Sequence, residues 1–556
     1  MKEQRLKNLI WVSLVLLIIV GSFIRLYNLG APSFWIDELN HFYAGESILA
    51  GQEPQLPSGV HYNRAALYNY AVAASMKLFG TGEFGARFPS ALFGILSIPL
   101  VFFITRRFFD EKVAILATIF VTFSPFEIGW SRISKMYTLF QFLYLAAFYT
   151  FYRGFESIAE NEQTSTKNVL GINWVWLLLT FFVLAISMSV QQLTVLFAFA
   201  IFIYLALMVV VIAYRDKGAG LLRSRYFILL TVGCVTGLVI IGLIPEIRAR
   251  MEFLFNYHPL WAQGGGGKLL YFEFFMSKHR FPLGALFLIG TIQILMRFEK
   301  RHYYTLIHLL IPLVFLSFLI KTRVDRYILN LFPLFCMIAA SGLVNIIQSE
   351  KLSLKAFFHN HAQLPRLISW ERFQTVVVIL FLSWIPVSRW FYDALKIPTL
   401  KSGKQYIGEH YTNGAVTHRA WREASSYIKS KGKPDDIIIT THAITADYYC
   451  GKVDFTIYSG DIGLFRKAPV DSNNFKLEPY ANAAVVENAD QFKKIIAENP
   501  RGWLLADKYR LGTVIPEEIS NFVKSGFLKQ HHVDTNNTIF VFGWDREADS
   551  GMLINN

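Results

Sequence analysis

The chain has 556 residues, of which 53% are hydrophobic, 16% aromatic and only 17% charged, with a mean hydropathy of +0.36. A soluble domain carries about 25% charged residues, so this composition excludes a disordered chain, a collagen, a coiled coil and a small disulfide-stapled module, and points to a polytopic membrane protein built on apolar runs of about 20 residues. The net charge of +14 is assigned to Lys and Arg anchoring cytoplasmic loops and not to nucleic acid, because no basic, aromatic-interleaved soluble domain accompanies it.

Lys2, Arg5 and Lys7 precede an apolar run over 9–24. A cleaved leader also begins this way, but no small-residue cleavage site follows, so an uncleaved first span with a cytoplasmic N-terminus is expected. Ten further runs follow at 88–105, 113–130, 136–152, 172–188, 193–213, 226–244, 282–296, 303–320, 327–347 and 373–392. The stretch 65–79 is apolar but short, and holds Tyr68, Asn69, Tyr70 and Lys77; it suits an interfacial or re-entrant helix. Charge decides its status. If it does not span, the cytoplasmic segments hold 19 Lys and Arg in 75 residues and the opposite segments 14 in 115, as the positive-inside rule asks. If it does span, every later loop is reversed. Eleven spans then place everything after Tyr392 outside.

From 394 to 556 the chain is polar, with β-rich runs at 436–441, 484–486, 502–505 and 538–542 and helical patterns at 420–431 and 489–498. This alternation predicts a small α/β domain, with Asn536-Asn537 as a hairpin turn before the last strand. The expected division is therefore a transmembrane domain over 1–393 and an extracytoplasmic domain over 394–556. The four glycines at 264–267 before Lys268 do not make a P-loop: Ala262 stands where the first glycine belongs and Leu269 where Ser or Thr would bind magnesium. A flexible loop is expected there. Of the three cysteines, Cys234 and Cys336 lie in apolar runs and Cys450 has no partner in its own region, so neither a disulfide framework nor a Cys-based zinc site is expected.

Two constellations carry chemistry. Just beyond the first span stands Phe34-Trp35-Ile36-Asp37-Glu38. One carboxylate there suits a general base at the membrane surface; both also suit the first turn of the helix that follows. Adjacent helical residues do not share a face, so one acid can address a substrate atom while the other orients it or binds a cation. The second constellation is cationic. Arg132 and Lys135 occupy one short outer loop, and Lys321, Arg323 and Arg326 another, against the positive-inside trend. Snorkelling explains each alone; together, with Arg87 on the same side, they point to a bound phosphate or diphosphate. His41, His61, His258 and His279 also fall outside, but no metal-ligand spacing joins them to Asp37 or Glu38, and scattered surface histidines are expected. A divalent metal is open chemically and has no support in the spacing.

Asp37-Glu38, then Gly85-Ala86-Arg87-Phe88-Pro89-Ser90-Ala91-Leu92-Phe93-Gly94, then Ser131-Arg132-Ile133-Ser134-Lys135-Met136-Tyr137 resemble the GT-C superfamily of membrane glycosyltransferases, in the branch of the protein O-mannosyltransferases and aminoarabinose transferases (glycosyltransferase family 39-like). The stretch from Lys321 to Tyr327, with Pro333 beyond it, resembles a further shared segment. The resemblance implies a GT-C fold of about 11 spans and a sugar donor on a polyprenyl phosphate. It implies transfer on the extracytoplasmic face to a protein, lipid or polysaccharide acceptor, in a multi-pass protein of the cell membrane. Asp37 maps onto the family's base and Arg87 onto its conserved arginine. Arg132, Lys135, Lys321, Arg323, Arg326 and Tyr327 are then donor-phosphate residues, and His61 and Arg64 line an acceptor or donor pocket. Many relatives carry Pro-Pro where this chain has His61-Tyr-Asn-Arg64-Ala65, so acceptor choice does not carry over. Two other classes fit many spans. A secondary transporter needs charges or broken helices at mid-membrane, whereas here charges sit at span ends; a scaffold displaying the C-terminal domain needs no acidic pair.

Overall fold

The computed structural model describes residues 2–156, 171–256, 267–348 and 419–546, apart from 216, 219, 278–279, 459–468, 514, 527 and 535–536, together with short pieces between 376 and 417. Among the described residues six helical stretches are long and apolar enough to cross a membrane: Asn8–Leu26, Glu83–Phe108, Gln192–Arg215, Arg225–Leu243, Lys300–Leu319 and Asp325–Ile347. Two bent pairs raise that to eight. In chain order the helices to Ser131 are α1 (Lys2–Leu26), α2 (Ile36–Leu49), α3 (Ala66–Phe79), α4 (Glu83–Phe108), α5 (Glu111–Thr122) and α6 (Pro125–Ser131). Then come α7 (Tyr137–Phe155), α8 (Trp174–Val190), α9 (Val195–Arg215), α10 (Arg225–Leu243), α11 (Pro245–Asn256), α12 (Leu270–Met276), α13 (Phe281–Met296), α14 (Lys300–Val314) and α15 (Phe332–Gln348).

Compared with the eleven expected spans, α7 and α8 stand at two of the positions with 19 and 17 residues. The run at 373–392 lies almost wholly outside the described residues. The run at 113–130, expected as one span, is broken: α5 and α6 meet at 58°. Pro125 has no N–H to continue α5 and sits at the start of α6, where Ser124 caps the new helix. Asp325–Ile347 is the central span, 94% buried within the protein, whereas Arg225–Leu243 is 6% buried and lies at the periphery. The doubtful stretch 65–79 forms α3. At 14 residues it is about 21 Å long, well under the roughly 30 Å of a hydrocarbon core, and it packs along α2.

The C-terminal region is a doubly wound α/β unit. β1 (Gln405–Ile407) and β2 (Val416–Thr417) pair by themselves; β3 (Ile437–Thr440), β4 (Phe455–Ile457), β5 (Ala484–Val486), β6 (Arg501–Asp507), β7 (Lys529–Val533) and β8 (Ile539–Asp545) form one mixed sheet in the order β5-β4-β3-β6-β8-β7. One face, with Ile438, Trp503 and Leu505, packs on α16 (Trp421–Lys431) and α17 (Ala443–Cys450). The other, with Ile439, Leu504 and Ala506, packs on α18 (Ala489–Glu498), α19 (Lys508–Thr513) and α20 (Glu517–Lys524). The expected turn before the last strand joins β7 to its antiparallel neighbour β8. Asn537 there has φ 55°, which asparagine tolerates better than other side chains; position 536 is outside the described residues.

This unit docks on the loop that follows α1. The Phe34 N–H donates to Tyr449 Oη at 2.6 Å, and that hydroxyl donates to Glu83 Oε1 at 2.7 Å. Tyr43 Oη donates to Asp447 Oδ2 at 2.7 Å. Arg422 donates to the carbonyls of Gly30 and Ala31 and pairs with Glu83.

Candidate active site

The adjacent acids Asp37 and Glu38 open α2, and the structure divides them. Glu38 is fully buried. Its carboxylate accepts the Trp35 N–H at 2.8 Å, the Ser134 N–H at 2.7 Å, and Arg87 through Nε at 2.8 Å and Nη2 at 2.9 Å. Arg87, on the first turns of α4, is buried too. Its Nη1 donates to the carbonyls of Leu29 and Pro32, and Nη2 also to that of Ser33. A guanidinium has five N–H donors, and five acceptors of this chain take them. The expectation that Arg87 grips the donor phosphate is therefore corrected: it staples the loop over 29–38 and neutralises Glu38. Glu38 in turn orients the turn that presents Asp37, and does not face solvent.

The two longer motifs interlock around this staple. Ser90 donates to the carbonyl of Lys135 at 2.8 Å and meets Tyr68 Oη at 2.7 Å. Ser134 Oγ donates to the carbonyl of Ala86 at 2.8 Å. A Cβ on Gly94 would come within 2.2 Å of Ser131 Oγ, so only glycine lets α4 and α6 approach this closely. Arg132 also departs from its expected part. It is 1% exposed and donates to the carbonyls of Ile24, Arg25, Tyr27 and Asn28. The first two are orphan acceptors in the last turn of α1 and the other two lie just beyond its end, so Arg132 caps that helix.

Asp37 keeps 36% of its side chain exposed and lies 3.9 Å from Lys135 Nζ, which also donates to the Asp37 carbonyl at 3.1 Å. Arg64, Arg326, Tyr62, Tyr137 and Tyr327 complete its electrostatic surroundings. Arg326 sits 5.9 Å from the Trp35 ring, and Arg64 retains solvent access. Burial pulls the Lys135 ammonium down to about 8 against the pull of Asp37, and Arg64 and Arg326 add to the lowering. Burial also opposes the charge of Arg64, but Tyr137, Tyr62, Tyr327 and Asp37 outweigh it and hold that guanidinium up.

Of the remaining expected residues, Tyr327 and Arg326 reach this cluster. Arg323 turns its Nε to the carbonyl of Ser317 at 2.8 Å, and Lys321 is exposed. His61 is on the surface, 3.3 Å from Glu53, and is not brought to Asp37. His41, expected at the surface, is fully buried between Tyr62 and Tyr68, with Nδ1 2.7 Å from Asn69 Oδ1. Burial, and then Lys135, hold its imidazole well below the ordinary value. His258 and His279 lie outside the described residues. Among the described residues no three His, Cys, Asp or Glu side chains gather as a metal set. Sequence reasoning passed over Tyr62 and Tyr137; the only signal for either was Tyr137 closing the third motif.

Residues 63–232 match the family model described as dolichyl-phosphate-mannose-protein mannosyltransferase. Over 165 residues the chain is 26% identical to undecaprenyl phosphate-alpha-4-amino-4-deoxy-L-arabinose arabinosyl transferase 2 of Pseudomonas fluorescens, a match covering 28% of this chain and 30% of that relative. An uncharacterized protein of Aquifex aeolicus is 26% identical over 147 residues, 25% of this chain and 29% of its own length. The chain thus spans under a third of the length of the curated relatives it matches. Its fold extends much further. ArnT from Cupriavidus metallidurans bound to undecaprenyl phosphate superposes with a TM-score of 0.57 at 14% identity, over 96% of this chain and 98% of that one. The oligosaccharyltransferase AglB from Archaeoglobus fulgidus, in complex with an inhibitory peptide and a dolichol-phosphate, superposes with a TM-score of 0.55 at 12% identity, over 96% and 74%. The chain has a GT-C fold with a C-terminal sheet region, and the resemblance read from its motifs to the GT-C superfamily holds.

Proposed function

We propose that the chain is an integral-membrane glycosyltransferase that moves a sugar from a polyprenyl-phosphate carrier to an acceptor on the extracytoplasmic face, with Asp37 as base and with inversion. One observation carries this reading: a single solvent-reaching carboxylate, Asp37, stands beside Lys135 at 3.9 Å with Arg64 and Arg326 around them. The printed descriptions of the relatives, an undecaprenyl-phosphate arabinosyl transferase and structures holding undecaprenyl phosphate or a dolichol-phosphate, support a lipid-phosphate donor.

The chemistry follows from those groups. An acceptor oxygen attacks the anomeric carbon, and its proton passes to Asp37. The bond from that carbon to the phosphate oxygen breaks, and its electron pair stays on the phosphate. A phosphate is a weak base and leaves without a general acid. Arg64, Lys135 and Arg326 hold its charge in a site of low dielectric, while Tyr62, Tyr137 and Tyr327 line the approach. A single displacement inverts the anomeric centre.

Purified protein supplied with a panel of polyprenyl-phosphate sugars tests the donor class. Arg64→Ala and Arg326→Ala are each expected to weaken donor binding by about ten- to a hundredfold, the loss of one charge-assisted partner. Donor binding untouched by both removes the cationic wall. Orientation is tested by a reporter fused after Tyr392, expected to be active only outside the cytoplasm; cytoplasmic activity reverses the topology.

Lys135 adds a pH signature. Its folded-state value of about 8 lies below the ordinary 10.4 of a free lysine, so it loses its proton, and its pull on phosphate, as pH rises through about 8. Donor binding is expected to fall along that alkaline limb, and Lys135→Arg, charged throughout, is expected to flatten it. An unchanged limb in that variant means another group titrates.

A further inference from the structure

The order of the C-terminal sheet reverses at β3. From β3 the chain moves through α17 to β4 on one side, while β6 lies on the other, parallel to β3. After β3 it leaves on the face of α17, and after β6 on the face of α19. Such a switch point opens a crevice beyond the carboxyl ends of the two strands, where doubly wound sheets bind ligands. Beyond those ends stand His442, after β3, and Asp507, Tyr509 and Arg510, at and after the end of β6.

Asp507 is fully buried and organises the place. Its Oδ1 accepts the N–H groups of Tyr509 at 2.8 Å and Arg510 at 3.2 Å and pairs with Arg419, while Oδ2 lies 3.5 Å from His442 Nε2. Three groups are left over. His442 is 10% exposed at its side chain, and among the described residues its Nδ1 has no hydrogen-bond partner. Thr445 Oγ1, one turn on in α17 and fully buried, has none either. Arg510 donates through Nη1 to the carbonyl of Thr441 at 2.7 Å; among the described residues Nε and Nη2 find no acceptor. Buried polar atoms such as His442 Nδ1 and Thr445 Oγ1 are costly to leave without a partner, and the half-buried Arg510 guanidinium lies in the electrostatic surroundings of His442.

We propose that this crevice is a second ligand site, separate from Asp37, that takes a saccharide bearing a carboxylate or phosphate group. The Arg510 fork suits such an anion. With Nε2 facing Asp507, the His442 Nδ1 accepts a sugar hydroxyl. Tyr509, 62% exposed, offers the apolar face of a sugar ring a platform. Burial, and then Arg510, bring His442 down to about 4, so at neutral pH it serves as an acceptor and adds no charge.

Calorimetric titration of the full chain in detergent with glucose 1-phosphate, glucuronate, inorganic phosphate and glucose tests this. Glucose 1-phosphate and glucuronate are expected to bind, and Arg510→Gln to weaken both by about tenfold or more. Tyr509→Ala, a surface change that leaves the core intact, is expected to weaken both sugars and leave phosphate unchanged. Asp37→Asn is expected to alter none of them, so the site stands or falls apart from the transfer reaction. The proposal fails if neither anionic sugar binds, if glucose binds as tightly as they do, if inorganic phosphate alone matches glucose 1-phosphate, or if binding survives Arg510→Gln in protein that melts normally.

Discussion

Asp37→Asn is expected to cost about 10²–10⁴ in the rate of sugar transfer, the usual loss with a general base, while donor binding stays near normal. Asparagine keeps the shape and the hydrogen-bonding reach of the side chain but cannot take the acceptor's proton. The neighbourhood argues that fold and donor site survive. Asp37 is 36% exposed, its ion pair with Lys135 is long at 3.9 Å, and Lys135 keeps its hydrogen bond to the Asp37 carbonyl. A mere helix-capping role predicts a different result, because asparagine caps a helix as well as aspartate does. Single-turnover transfer with purified protein, beside a donor-binding measurement, separates the two. Near-normal transfer by the Asn variant leaves the chain without its base.

Arg87→Ala is expected to damage the fold before it touches chemistry. The substitution leaves a fully buried Glu38 carboxylate without its bidentate partner and frees the carbonyls of Leu29, Pro32 and Ser33. Breaking a buried pair by removing one partner costs about 3–5 kcal/mol, a large share of the roughly 5–15 kcal/mol that holds a domain together. A lowered Tm and poor recovery in detergent are the expected signs. Arg87→Lys keeps the charge but not the planar five-donor fork, and should fall in between. Glu38→Leu combined with Arg87→Met removes both charges and should recover part of the loss. The opposite outcome is as informative: Arg87→Ala protein that melts like the parent yet cannot bind donor would return Arg87 to the phosphate.

The difference between Arg87 and Arg64 shows where reading the chain stops. Both follow the first span, and their side chains are identical. Motif resemblance favoured Arg87 as a phosphate ligand and gave Arg64 to an acceptor or donor pocket, in a stretch that departs from the family pattern. In the structure Arg87 is consumed by five acceptors of this chain, whereas Arg64 stands in the surroundings of Asp37 with solvent access. Arg132 misled in the same way, its donors being spent on the end of α1. His41 was placed at the surface because a histidine in a polar loop usually is, but α3 folds back over α2 and buries it.

Features set by local periodicity and composition were legible. Apolar runs marked the long helices, and the shortness of 65–79 foretold α3. Alternating β-branched and helical patterns announced an α/β unit, with strands at 437–440, 484–486, 501–507 and 539–545 where such runs occur. The division of labour between Asp37 and Glu38 was half visible, since adjacent helical residues point apart. Which of the two turned inward was not. Tertiary structure alone decided it, together with which cations are spent and which remain, and the docking of Tyr449 on Phe34 across 415 residues of chain. The physical reason is range. Helix and strand signals arise from neighbours within a few residues, so the sequence carries them openly. A charge's role depends on which distant carbonyls and carboxylates arrive within about 3 Å of it, and only the packed fold brings those together.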